Sequence, residues 1–291
     1  MHVHSYFSGP CTTPLFSFIC RESYSDPEEV YSRLRRCGMS LFTLTDHDSV
    51  EGAEKLLQHP DFFMSEEVTC RMPSGTIAHI GVFDITEKQH LQIQQRRDDL
   101  IALLMYLTER RILFSVNHVF SGLTGPRANE DFHWFRQYFP AVETHNSHMV
   151  PVQNESAAQF ARRFSKLEIG GSDAHALPSV GTAFTEVPGA RNKEEFFAGL
   201  RAGTGRTSGE SGSTRKLTRD LLFIGLEMIR GDIRTAPLLP LAILVPVAAF
   251  LNYRGEHKFS RHWSEKVLGK PEPYKLPRWI NVPQRATEEW T

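Results

Sequence analysis

Histidines and carboxylates recur at close spacing along the first 205 residues, and imidazole with carboxylate is a donor set for zinc, manganese or iron. His2 and His4 open the series. Strand side chains alternate with period two, so an H-x-H pair presents both rings on one face and can grip one ion. Asp173-Ala174-His175 repeats the logic with an acid and an imidazole at i and i+2. One such pair is weak evidence. Two pairs, with His47, Glu67, His79 and His118 between them, make a case for a metal site. A divalent ion lowers the pKa of bound water from about 15.7 to about 7, and paired ions about 3.5–4 Å apart suit in-line attack on phosphorus.

These donors need elements that deliver them to one place. Ser25 to Glu29 is a helix start, with a polar cap, Pro27 in the first turn and early acids. Val30, Leu34 and Cys37 then share a face, and Gly38 supplies the stop. A strand over 41–45 ends in Asp46-His47-Asp48, and a short helix over 50–58 follows. Strands are expected at 62–69 and 76–83, then one long helix over 87–110 with a Leu100, Leu103, Leu104 and Leu107 stripe. Strand 112–116 ends in Asn117-His118; helix 131–138, strand 141–144, helix 153–165 and strand 167–170 complete the order. Strand–loop–helix repetition predicts a mostly parallel α/β fold. In a barrel the strand ends converge on one face, where active sites form.

The series His2-Val3-His4-Ser5, Thr45-Asp46-His47-Asp48, Glu67 before Val68-Thr69, His79, Asn117-His118, Glu143-Thr144-His145 and Ser172-Asp173-Ala174-His175 resembles the PHP (polymerase and histidinol phosphatase) family. The motifs are short singly and specific in this order. The resemblance implies a distorted (β/α)7 TIM-like barrel carrying up to three ions. By motif, His2, His4, Glu67 and Asp173 would hold one ion, and Glu67 would bridge to a second held by His79 and His118. His47 and His175 would belong to a third. Glu66 competes with Glu67, which matches the family's Glu-apolar-Ser/Thr pattern better. Asp46 and Arg127 are the candidate catalytic residues, Asp46 by orienting its neighbour and Arg127 by binding phosphate. Arg206 is the alternative phosphate ligand, and Glu143, His145 and His148 are candidates for supporting or substrate contacts.

The sequence departs from the family in three places. Relatives carry an Asp or His where Gly9 and Pro10 stand, so two firm ions are expected, with a third only when phosphate binds; Cys11 is a candidate substitute. Little chain precedes His2, which implies a short first strand or an internal start codon. The interval from His79 to His118 leaves no room for an inserted domain. The expected activity is hydrolysis of a small-molecule phosphomonoester by metal-activated hydroxide. A nuclease on nucleic-acid ends and a non-catalytic barrel working through its C-terminal segment are the alternatives.

The 291 residues carry a net charge of −1, with a pI near 6.9, which lends no support to a dedicated duplex binder. Four scattered cysteines without a C-x-x-C pair argue against a disulfide scaffold and for a reducing cytoplasm. The barrel is expected over 1–205, a Gly/Ser/Thr linker over 206–214 and an extension over 215–291. Arg215, Lys216 and Arg219 read as solvated charge. Residues 236–253 lack charge but contain Pro237, Pro240 and Pro246, which break a membrane helix. A segment packed on the barrel or on a partner is therefore expected, with membrane association the alternative. The tail from Lys266 reads as extended.

Overall fold

The computed structural model describes residues 1–11 and 20–269. In chain order the elements are α1 (Pro27–Arg36), α2 (Glu51–Glu54), β1 (Ser65–Arg71), β2 (Ile77–Phe83), α3 (Glu87–Gln94), α4 (Leu100–Glu109), β3 (Leu113–Val116) and α5 (Asn129–Tyr138). There follow β4 (Ala141–Asn146), α6 (Pro151–Arg163), β5 (Leu167–Gly171), β6 (Ala183–Glu186), α7 (Lys193–Arg201), β7 (Arg206–Gly209), α8 (Thr214–Gly231) and α9 (Val245–Leu268). Strands β1 to β5 form one sheet in sequence order, and β6 pairs with β7.

The sheet is mixed. β1–β2 and β2–β3 pair antiparallel, whereas β3–β4 and β4–β5 pair parallel. Thus β2 alone runs against its neighbours, because the short turn after Met72 leaves no length for a crossover. Its reversal brings the start of β2, with His79, level with the end of β1, where Thr69 is its partner. The two expected strands nearest the N-terminus are single bridges rather than ladders: Val3 with Ala174, Phe42 with Phe62 and His47 with Glu67, all parallel. The described ladders therefore do not close a barrel.

Local sequence explains most helix bounds. Asp26 caps α1 by accepting from the Glu28 N–H, and Gly38 leaves it at φ 80°. The expected helix over 87–110 is two helices. Asp99 accepts from the Ile101 and Ala102 N–H groups, so it caps a fresh start at α4 instead of continuing α3. The expected helix over 50–58 shortens to α2, and the expected linker contains β7, paired with β6 from Ala183 to Glu186. Thr207 explains the linker's order, because its hydroxyl meets that of Thr144 on β4 at 3.2 Å.

The C-terminal extension is partly built into the body. Trp263 on α9 stacks on Phe132 of α5 at 5.1 Å and is buried with it. Glu256 on α9 accepts from Ser121 Oγ, the Gly122 N–H and Gln153 Nε2. Helix α9 runs through Lys266, so the expected extended tail does not begin there; its remainder lies outside the described residues. Residues 236–253, expected to pack on the barrel or on a partner, are largely uncovered by the described body, Ala249 excepted. Ile243 is 81% exposed and Ile233 74%. Within Ile233–Leu268 one window is long and apolar enough to cross a membrane, with mean hydropathy 1.8.

Trp263→Ala should lower the unfolding free energy by about 3–5 kcal/mol, the usual cost of emptying an aromatic core site. Ile243→Ala should stay within about 0.5 kcal/mol, as surface changes do. Urea unfolding of the two variants measures the contrast.

Candidate metal centre

The first segment is tied to strand ends on both sides. His4 N–H donates to Ala174 O, Asp173 N–H to His2 O and Thr45 N–H to Val3 O. Gly171 permits this approach, since a Cβ there would lie 2.3 Å from the His2 backbone nitrogen and from its Cβ. Asp173 and His118 adopt left-handed backbones, at φ 50° and 32°, which turn the chain sharply where each strand ends.

His2, His4, Glu67 and Asp173 meet in a buried cluster. His2 Nε2 lies 3.0 Å from His4 Nε2, 3.2 Å from Glu67 Oε2 and 3.3 Å from Asp173 Oδ1. His4 Nε2 lies 3.4 Å from that Glu67 oxygen and 3.2 Å from that Asp173 oxygen. Four donors at about 2.0–2.1 Å around a tetrahedral cation stand about 3.3 Å apart. The spacing fits one cation.

The tautomers agree. His2 Nδ1 faces Glu143 Oε1 at 2.7 Å and donates its proton there, leaving Nε2 bare whenever the ring is neutral. His4 Nδ1 faces Ser8 Oγ at 2.9 Å, and Ser8 spends its own hydroxyl proton on Asp46 Oδ1 at 2.7 Å. His4 Nδ1 must therefore donate, and its Nε2 is also bare. At 3.0 Å the two nitrogens repel unless a proton or a metal cation lies between them. His175 follows the same pattern: Nδ1 donates to Asp173 O at 3.0 Å, and the buried Nε2 has no hydrogen-bond partner.

Glu67 has two faces. Oε2 turns to His2, His4 and His47 Nδ1 (3.2 Å); Oε1 turns to His118 Nε2 (3.3 Å), His79 Nδ1 (3.5 Å) and the Asn117 amide (2.8 Å). Strand alternation sends Glu66 to the opposite face, where its Oε2 meets His90 and Gln94. The Nδ1 atoms of His47 and His79 are buried without hydrogen-bond partners. His47 stacks on His4, with ring centroids 4.6 Å apart, and also belongs with Glu67 and His79.

Burial alone would favour neutral acids at Glu67 and Asp173. The surrounding histidines, His2 first, hold both well below the ordinary carboxylate range. Burial and the neighbouring His175 press His4 down to about 3, and burial depresses His47 strongly. Burial also works against charge on His2, but Asp173, Glu67 and Glu143 outweigh it and raise its pKa.

Several expected contacts fall elsewhere. Asp46 does not face the cluster: Oδ1 accepts from the Ser5 N–H and Ser8 Oγ, and Oδ2 from Ser5 Oγ, so it reaches His4 only through Ser8. Arg127 is buried with Nη1 on Ile77 O at 2.6 Å, and its charged neighbours are Asp131 and Glu256. Burial presses its pKa down to about 10. Such a pinned guanidinium braces the loop after His118 and is not turned to a phosphate. Arg206 is exposed on β7 opposite Glu186, and His145 Nε2 meets Glu210 O. Glu143, besides holding His2, accepts from the His118 N–H and Asn146 Nδ2.

Residues without a sequence motif complete the surroundings. Glu22 Oε1 lies 3.6 Å from His175 Nε2, on the side where Gly9 and Pro10 offer no donor. Pro10 bridges to Arg21, and Cys11 N–H donates to Cys20 O, which folds Glu22 back beside the first segment. From α8, Asp220 accepts from His148 Nε2 at 3.0 Å, from Ser179 Oγ and from Arg219 Nε. Lys216 is buried against Thr182 Oγ1 at 2.7 Å, so of the three basic residues it alone is packed into the rim, and Arg215 and Arg219 stay exposed. Only the i, i+4 spacing of Lys216 and Asp220 on one helix face hinted at it.

Ser8→Ala should free His4 to adopt the other tautomer and weaken cation binding about 10–100-fold, the usual effect of losing an orienting partner. Competition with a chromogenic chelator reads this directly. Ser8→Thr keeps the hydroxyl and should restore most of the affinity.

The PHP-associated family profile matches residues 151–204, which include Asp173 and His175. No curated protein matches the chain significantly. Among solved structures, PsfC from Pseudomonas syringae PB-5123 is 16% identical with a TM-score of 0.53, over 78% of this chain and 96% of that one. A protein described as a candidate metal-dependent phosphoesterase, from Bifidobacterium adolescentis ATCC 15703, is 11% identical over 69% and 95%, with a TM-score of 0.43. The lesion-specific endonuclease PfuEndoQ from Pyrococcus furiosus is 15% identical over 71% of this chain and 56% of its own, with a TM-score of 0.46. Of these three, PsfC alone superposes well enough to speak for the fold. The profile match thus covers the Asp173 and His175 motif, and the remaining motifs that resemble the PHP (polymerase and histidinol phosphatase) family converge on the same cluster.

Proposed function

We propose that the protein is a divalent-metal-dependent phosphoesterase acting on a small-molecule phosphomonoester. The observation that carries this reading is the convergence of His2 Nε2 and His4 Nε2, 3.0 Å apart, with Glu67 and Asp173 at the spacing of one cation's ligands. His2, His4, Glu67 and Asp173 would hold one ion; Glu67, His79 and His118 a second; and His47, His175 and Glu22 would flank a third. Zinc, manganese and iron all suit this donor set. Such ions supply Lewis-acid charge and acidify water.

The protein's own groups do the rest. Glu143 and the Asp46–Ser8 pair hold His2 and His4 in one tautomer. Asn117 holds Glu67 Oε1 in place. The half-exposed Arg219 on α8 replaces Arg127 and Arg206 as the phosphate ligand in this reading, since it sits beside Asp220 and His148 at the rim. A ring nitrogen of His148 lies within 4.8 Å of donors on Asp173 and His175, and Asp220 orients that ring. His148 is therefore the group suited to pass a proton to the leaving oxygen.

The same reading takes residues 1–205 as a distorted (β/α)7 barrel. The backbone bonds from His4 to Ala174, from Thr45 to Val3 and from Glu67 to Asp46 support it, because they continue the sheet around the gap between β5 and β1. Helix α8 then acts as part of the site's wall.

Purified protein should hydrolyse p-nitrophenyl phosphate, lose that activity to a chelator and regain it with added manganese or zinc. Asp173→Asn should remove both activity and bound metal. Arg219→Ala should raise KM about 10–100-fold, the worth of a charged hydrogen bond, with kcat nearly kept. Metal-loaded protein inert on every monoester but active on bis-p-nitrophenyl phosphate or single-stranded oligonucleotides would replace the reading with a phosphodiesterase. Metal-free protein without activity would sink it.

A further inference from the structure

The arm between α8 and α9 exposes an apolar surface that the rest of the described chain does not cover. Ile233, Leu241, Ile243, Val247, Phe250 and Leu251 are all exposed. Between 233 and 253 the one charged side chain is Arg234, which pairs with Asp232 at the arm's start. A soluble surface of this size and continuity marks an interaction site.

Basic groups border it. An open groove beside the arm is lined by Phe250, Tyr253, Arg254, His257, Lys258 and Arg261. The acid within this stretch, Glu256, faces inward to Ser121 and Gln153 and offers no outward negative charge. Arg230 and Arg234 stand at the other border. An apolar band edged by cations and a tyrosine is the pattern of a helix lying at a lipid interface, with its cations among anionic head groups.

The topology decides how deep it can go. Lys216 and Asp220 tie the start of α8 to Thr182 and Ser179, and Glu256 and Trp263 tie α9 to the same body. Both limbs return to one side, so the chain cannot cross a bilayer between them. From Val245 to Glu256 the helix is about 17 Å long, short of a hydrocarbon core of about 30 Å. Pro237 and Pro240 lie inside the intervening 3-10 segment, Ile233–Leu244, which suits shallow insertion rather than spanning.

We propose that residues 233–261 dock the protein on one leaflet of a membrane carrying anionic phospholipid, with 233–251 in the acyl boundary and Arg254, Lys258 and Arg261 among the phosphates. This goes beyond the hydrolytic reading and stands without it.

Flotation of the full chain with vesicles tests the proposal. The protein should float with phosphatidylcholine vesicles containing phosphatidylglycerol and far less with phosphatidylcholine alone. Ile243→Glu with Leu251→Glu should abolish flotation, while far-UV circular dichroism and hydrolysis of a soluble ester stay unchanged. Replacing Arg254, Lys258 and Arg261 together by Ala should weaken binding to anionic vesicles roughly a hundredfold. Three results would overturn the proposal: no flotation with either vesicle, flotation retained by the double Glu variant, or a lipid-free dimer that this variant splits. A chain ending at Gly269 that floats when the full chain does not would also overturn it, by making the tail the arm's occupant.

Discussion

Everything at the centre depends on holding His2 Nε2 and His4 Nε2 3.0 Å apart and turned to each other. Ring nitrogens aimed at each other in a buried site are costly unless a proton or a cation lies between them. The arrangement persists because each ring is held from behind. Glu143 fixes His2, and the Asp46–Ser8 pair fixes His4. Those supports in turn require the first segment to lie against Ala174 and Thr45, which Gly171 permits by lacking a side chain. The reversed strand β2 and the left-handed turns at His118 and Asp173 serve the same end by bringing further donors to Glu67.

Glu143 shows how little of this is separable. Its Oε1 holds His2 while Oε2 accepts from the His118 backbone and the Asn146 amide, whose other contact is Asp173 Oδ2. One carboxylate thus links three strand ends that each carry a candidate ligand. Networks of this kind act as a unit, so the effects of removing members will not add.

The donors that share a strand face were legible in the sequence, because period-two alternation couples spacing to direction. That is why His2 pairs with His4; alternation puts Glu66 and Glu67 on opposite faces, and the PHP-like Glu-apolar-Ser/Thr pattern pointed to Glu67. What depended on chain reversal was not legible. Glu22 reaches His175 only because the chain doubles back between Pro10 and Arg21, and no spacing rule reports that return. Ser8 was silent because a hydroxyl has no motif of its own. Arg127 misled in the opposite sense: its position after His118 suggested a phosphate ligand, but backbone carbonyls at Ile77 and Val119 needed a donor. The break at 95–99 falls in a polar stretch ahead of the Leu100 to Leu107 stripe, where the Asp99 side chain caps a new helix.

The C-terminal helices join two regions with opposite requirements. Helix α8 begins in the buried polar network of Lys216, Asp220 and His148 and ends at the exposed arm. From Asp220 to Gly231 that is about 17 Å of helix. A rigid rod of this length sets the metal cluster well back from whatever surface the arm touches. Soluble esters could therefore reach the rim whether or not the arm is engaged, and an arm variant has no contact through which to disturb the imidazoles. Coupling between the two would require α8 or α9 to shift, and the anchors of α8 to Ser179 and Thr182 and of α9, through Glu256, to Ser121 and Gly122 oppose that motion. The geometry favours a site and a docking arm that work independently along one helix.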